Sequence, residues 1–223
     1  MIGFVPVEAV SLMPEQVQYL ERKLASIDDG RGVTAVSLGL AYHDHEILAV
    51  PSGWRSSATS DDSWNIYARA YRELNHTLNW LAGELCDEVG GAVEQATMEG
   101  WAHTVQHVSD YFPNCVSHRA FAEAAGIGWR GRHGLIVTPQ AGPALRLATL
   151  FVPGHELQQA VAFPGCGECR ACLEVCPVLH RADDYREACR RRIDRLGLED
   201  EVCGICVRVC WERITGQHWG ADC

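Results

Sequence analysis

The stretch Cys166-Gly-Glu-Cys169-Arg-Ala-Cys172-Leu-Glu-Val-Cys176-Pro177 decides how this chain reads. Three thiols lie on one short loop, and a fourth follows immediately before a proline. Downstream, Cys203-Gly-Ile-Cys206-Val-Arg-Val-Cys210 carries a similar spacing with one thiol fewer, and Cys189, inside the helical-looking stretch 185–195, can supply it. Eight of the eleven cysteines fall between Cys166 and Cys210. A disulfide framework in a small secreted chain spreads its cysteines over the whole fold, so this concentration reads as a metal or cluster module.

The first spacing, C-x2-C-x2-C-x3-C-P, is that of bacterial ferredoxins, where three thiolates of one loop hold one cubane and the fourth reaches the other cluster. Crossing the fourth ligands assigns Cys166, Cys169, Cys172 and Cys210 to one 4Fe-4S cluster and Cys176, Cys189, Cys203 and Cys206 to a second. Pro177 is expected in the first turn of a following helix, where its missing N–H costs little. Two four-thiolate zinc sites are the rival reading, but zinc does not require this spacing. Cys86, Cys115 and Cys223 stand apart and read as idle thiols.

Working outward, the 223 residues are 47% apolar and 22% charged, values of a globular chain rather than a disordered one. Periodicity predicts a helix over 14–27, a buried strand over 33–42, a loop over 43–60 and a long helix over 63–89 with Ile66, Ala70, Leu74, Leu78, Leu81 and Leu85 on its core face. A short element at 93–97, helices over 99–109 and 117–125, and strands at 135–138 and 145–151 follow. The expected fold class is α/β (α+β), with a core over 1–160 and a ferredoxin-like double-cluster domain over 161–223.

Net charge is −10. No basic footprint for a nucleic-acid backbone is visible, and Arg190-Arg191-Arg192 reads as a solvated helix face. No apolar run is long enough for a membrane span, and Met1–Met13 carries no export signature, so a cytoplasmic chain is expected. His103 and His107 share a predicted helix face, and His43-Asp44-His45 sits at a strand end. The first pair lacks a third ligand and reads as partly exposed surface; the second set reads as a plain polar loop rather than a weak metal site. Gly126-Ile-Gly128-Trp-Arg-Gly131 matches a dinucleotide fingerprint only in letters, because a helix precedes it and an apolar strand follows.

The run Ala124-Ala-Gly126-Ile-Gly128-Trp129-Arg-Gly131-Arg132-His133, then Thr138-Pro139-Gln-Ala-Gly142 and the double cysteine pattern, resembles epoxyqueuosine reductase and, more distantly, the reductive dehalogenases. Tyr67-Ala-Arg69-Ala-Tyr71 resembles the helix ahead of this region in the same family. The resemblance implies a nitroreductase-like core that holds cobalamin without a protein ligand to cobalt, beside a ferredoxin domain that feeds it electrons. It implies corrin contacts from Gly126, Gly128, Trp129, Gly131, Arg132, His133 and Gly142.

The family's aspartate proton donor falls by register at Phe112, so the acid is missing here or its role passes to Tyr111 or Asp110. The family's C-terminal helical repeats, which help hold transfer RNA, have no counterpart in this sequence. The expected function is therefore a cobalamin-dependent iron-sulfur reductase of a small electrophile, served by an electron donor such as a flavodoxin or ferredoxin, with no nucleic-acid or membrane partner. Two alternatives stand beside it: a redox partner that reduces a corrinoid on another protein, and an electron carrier without corrinoid. Anaerobically prepared protein should hold about eight iron and eight sulfide per chain. Metal and sulfide analysis checks this, and stoichiometric zinc would overturn the ligand sets.

Overall fold

In the computed structural model, residues 1–28, 30–59, 61–97, 106–154, 161–179 and 185–216 are described. Four strands form an antiparallel sheet in the order β1 (Ile2–Pro6), β2 (Val33–Ala41), β6 (Leu145–Pro153) and β3 (Ala92–Glu94). β2 and β6 pair along nine residues, from Val33↔Pro153 to Ala41↔Leu145. Both faces of β2 are covered, which is why its sequence is a nearly continuous apolar run rather than an alternating one.

Val33 and Ala35 of β2 and Phe151 of β6 pack on one side against Leu20 and Leu24 of α1 (Pro14–Leu24) and Phe121 and Ala125 at α4 (His118–Ala124). Val36, Leu38, Ala148 and Leu150 face the other way, toward Leu78 and Ala82 of α3 (Asn65–Val89). The result is three layers, helices on both faces of one sheet.

The helix expected over 63–89 is present, but its buried stripe lies partly elsewhere. Tyr67, Tyr71, Asn75, Leu78 and Ala82 are buried, while Ile66 is 37% exposed. The N-terminal half of α3 meets neighbours from residues 196–211 as well as the sheet, and it turns a wider face inward than a single stripe supplies. The loop expected over 43–60 contains a short helix, α2 (Asp44–Leu48), so Asp44 and His45 are helical rather than loop residues. β1 has no counterpart in the sequence reading; its five residues gain strand character from pairing with β2. The helix expected over 99–109 lies mostly outside the described residues, as does His103; Val108–Asn114 is a 3-10 helix.

In the cysteine region, α5 (Ala171–Val175), α6 (Tyr185–Arg195) and α7 (Ile205–Thr215) carry or flank the thiols. Pro177 does not begin a helix. Cys176 is extended (φ −116, ψ 102) just after α5, because the residue before a proline is pushed out of the helical region. A turn follows, with the Leu179 N–H donating to the Cys176 carbonyl at 3.1 Å.

This region shares its apolar core with α2 and α3. Leu196, Val202, Ile205, Val207 and Trp211 are buried with Tyr42, Ile47, Val50, Trp64, Tyr67 and Tyr71 in one cluster. No helix among the described residues is long and apolar enough to cross a membrane.

Candidate iron-sulfur centres and the glycine loop

The eight thiols fall into two neighbourhoods, and electrostatics identifies them. Burial pushes the Cys210 thiol up to about 12, and the neighbouring thiols Cys172, Cys166 and Cys169 push the same way. Cys189 is pushed up to about 12 by burial, then by Cys203 and Cys176. Cys206 is raised by burial, then by Cys189, Cys203 and Cys176, and last by Cys172 of the other group. Cys210 therefore joins the loop 166–172, although it sits on α7 beside Cys206, and Cys176 joins the thiols of α6 and the start of α7.

One helical turn separates Cys206 from Cys210, and that turn lets a single helix serve both groups. Buried thiols that resist deprotonation beside one another suit a strongly cationic centre, which makes each of them a thiolate. The donor set fits two iron-sulfur clusters on this ground. Among the described residues, no group of three or more His, Cys, Asp or Glu side chains is arranged around a single metal ion.

Helix α3 grips the second group. The Trp64 indole N–H donates to the Cys203 carbonyl at 2.7 Å, and the Glu199 N–H donates to Asn65 Oδ1 at 2.8 Å. Arg72 meets Asp200 at 3.1 Å, with the Asp200 side chain 1% exposed. From the other side, Arg192 Nε donates to Cys203 Sγ at 3.4 Å and Nη2 to the Arg55 carbonyl at 2.6 Å. The arginine run is thus a solvated face at Arg191 alone. Arg192 is 9% exposed, and Arg190 donates to Glu187 at 2.7 Å and to the Gln106 carbonyl at 2.8 Å.

The residues expected against a corrin have other work. A Cβ at Gly128 would fall on the Val137 carbonyl across the β4–β5 hairpin (Trp129–Arg130 with Ile136–Val137). One at Gly131 would meet His133 Cε1 at 2.8 Å, and one at Gly142, whose φ is +52, would meet Trp211 Cα at 3.1 Å. Gly126, at φ +69, closes α4. These glycines permit close packing of the protein on itself and form no open cradle.

Arg132 donates to the carbonyls of Cys169 at 3.0 Å and Gly167 at 2.7 Å, which ties the glycine loop to the first cysteine loop. His133 is 5% exposed; its Nδ1 accepts from the Leu135 N–H at 3.1 Å, and its Nε2 has no partner among the described residues.

Trp129 differs from its neighbours. It lies 5.7 Å from Phe163, its buried Nε1 has no partner among the described residues, and it lines a hollow of about 420 Å³ with Val137, Cys166, Cys169, Cys210, Arg213 and Ile214. This hollow adjoins the first thiol group. Tyr111 and Asp110 do not line it. Asp110 caps its own 3-10 helix by accepting from the N–H groups of Gln106 and His107 at 2.9 and 2.8 Å. Burial raises the Tyr111 phenol, and the charged groups acting on it include Arg190 and Glu187 of α6. The sequence reading missed Trp64, Asn65 and Arg192 as site residues, because their partners are more than ten positions away in the chain.

No family profile matches the chain. Curated epoxyqueuosine reductases do. That of Alicycliphilus denitrificans is 28% identical over 170 residues, 74% of this chain and 44% of the relative. That of Pseudomonas aeruginosa is 38% identical over 85 residues, 38% of this chain and 24% of the relative. The chain is epoxyqueuosine reductase-like.

It spans less than half the length of these first relatives. The solved epoxyqueuosine reductase of Streptococcus thermophilus shares the fold over 96% of this chain and 62% of its own, at TM-score 0.53 and 19% identity. A catabolic reductive dehalogenase in complex with 3-bromo-4-hydroxybenzoic acid shares it over 94% of this chain and 29% of its own, at TM-score 0.57 and 16% identity.

Cys210→Ala should remove the electron-paramagnetic signal of the cluster on Cys166, Cys169 and Cys172 while the other survives; selective loss of the other would refute the grouping. A second expectation concerns acid. Burial, then Arg119, holds His133 down at about 4 from an ordinary 6.5. Between those values the unfolded chain binds a proton that the folded chain refuses, so stability falls as pH drops through that window. Urea midpoints at pH 7 and pH 5 should show about 2 kcal/mol less loss in His133→Asn than in the parent.

Proposed function

We propose that this chain is an iron-sulfur oxidoreductase that passes single electrons from the Cys176, Cys189, Cys203 and Cys206 cluster to the Cys166, Cys169, Cys172 and Cys210 cluster, and from there to a corrinoid at the Trp129 hollow. The observation that carries this reading is the separation of eight thiols into two foursomes linked through α7, with only one foursome opening into the hollow. The relatives' reductase chemistry supports the direction of flow. The two-part organisation, residues 1–160 and 161–223, belongs to the same proposal, with the second part delivering electrons to the first.

The Cβ positions of Gly128, Gly131 and Gly142 are taken up by the protein itself, which favours the hollow as the place where the edge of a ring would lie. Trp129, Val137 and Ile214 give it apolar walls. These residues would hold cobalamin, which when bound supplies a redox-active cobalt centre for reductive cleavage. The protein's own contribution is placement: Arg132 fixes the cysteine loop against the glycine loop, and Gly142 lets α7 approach the turn before β6.

The proposal gives Tyr111 and Asp110 no proton step, because neither reaches the hollow. The substrate proposed is a small electrophile rather than transfer RNA, on the strength of the −10 charge. Anaerobic titration of the cluster-loaded protein with cobalamin, followed by visible spectra, tests the reading. Binding should weaken at least about tenfold in Trp129→Ala with both cluster signals intact. No binding by the parent would leave an iron-sulfur electron carrier.

A further inference from the structure

A second concavity, of about 480 Å³, lies beside the other thiol group. Its floor is built from chain next to that group's ligands: Pro177 follows Cys176, and Ala188 precedes Cys189. Its walls are Trp54, Arg191, Arg192 and Arg195. The Arg192 guanidinium stacks 3.7 Å over the ring of Trp54, which is 41% exposed, and the same guanidinium donates to Cys203 Sγ. One side chain thus spans from an exposed indole to a thiol of the second group. On their inner side, Cys203 and Cys206 pack against the shared core of α2 and α3. The concavity is therefore an approach to this group from solvent.

Its charge runs against that of the molecule. The chain carries −10, yet among the described residues three arginines and no Asp or Glu line this concavity. Arg191 has one ion pair, with Glu187 at 3.0 Å, and Arg195 donates to the Arg191 carbonyl at 2.9 Å. Both are exposed at the rim. A positive rim on an acidic protein steers an acidic partner to this face and repels the molecule's own kind elsewhere.

We infer that this face is the electron-entry port, and that its occupant is a small, acidic, low-potential one-electron carrier protein. The inference rests on the cluster assignment proposed above. One electron leaves the carrier's reduced centre and enters the oxidised cluster held by Cys176, Cys189, Cys203 and Cys206. The carrier is oxidised by one electron and the cluster reduced by one, with no bond made or broken and no proton transferred. Arg192 positions the approach: its stack on Trp54 and its bond to Cys203 join the docking surface to the cluster edge.

The test uses the cluster-loaded chain, mixed anaerobically with a reduced acidic plant-type 2Fe-2S ferredoxin in a stopped-flow instrument. Arg195→Glu and, separately, Arg191→Gln should slow the second-order rate, the former about tenfold or more at low salt, with the gap closing as salt rises. Reduction by photogenerated 5-deazaflavin radical, which needs no docking, should be unchanged in both variants. Arg22→Glu, on α1, should change the ferredoxin rate less than twofold. Unchanged rates in the rim variants, or equal slowing by Arg22→Glu, would overturn the port. Inhibition by millimolar phosphate beyond its effect on ionic strength would mark a small-anion site and overturn it too. Failure of 5-deazaflavin to reduce the parent would overturn the cluster assignment itself, and the port with it.

Discussion

The structure depends on the grip of α3 on the chain that leads into α7. Trp64, 0% exposed, donates its indole N–H to the Cys203 carbonyl, and Asn65 and Arg72 hold Glu199 and Asp200 a few residues before it. These contacts give the second cysteine loop a wall that a ferredoxin module of this size does not build alone. Small domains bury too little surface to hold buried charges rigidly, and here α3 supplies the missing core. Because α3 also packs on the sheet through Leu78 and Ala82, one rigid rod sets the distance between sheet and cysteines. Gly204, at φ +78, has no room for a Cβ against the Tyr67 ring, so the cysteine loop and the helix approach as closely as backbone permits.

The glycine loop is the second contact between the two regions. Its small residues first suggest room for a flat ligand, yet each is accounted for by the protein's own backbone or side chains. Gly128 admits the Val137 carbonyl, Gly142 admits α7, and Arg132 reaches across to two carbonyls of the first cysteine loop. The loop braces the first thiol group against the hairpin, and Trp129 is its residue that lines the hollow among the described residues.

Charge is distributed for the same purpose. Arg190, Arg191 and Arg192 are consecutive, yet the helix sends them to different tasks: Arg190 to Glu187 and the Gln106 carbonyl, Arg191 to the rim, and Arg192 into the protein beside Cys203. Arg190, with Arg191 and the Val108 N–H, holds Glu187 down to about 2. That carboxylate ties α6 to the 3-10 helix over Val108–Asn114.

Cysteine spacing by itself picked out the C-terminal thiols as one candidate centre, because thiols that lie within seven residues on one loop are a local property of the chain. The same holds for β2 and for the extent of α3, where continuous apolar character and a 3.6-residue period record burial directly. That a helix carries Cys210 one turn beyond Cys206 was legible too, from the spacing alone.

Only the tertiary structure decided what the glycines face, where Tyr111 and Asp110 point, and which arginine meets a thiol. A glycine is silent about whether a ligand or the protein's own backbone fills the space it leaves. A helix period does not say which of two faces will be buried when a second region packs on its end, and so Tyr67 and Tyr71, not Ile66, turn inward. Trp64 and Cys203 are joined by a hydrogen bond across 139 positions. Contacts of that range are set by how the layers close, a quantity that no local pattern of residues encodes.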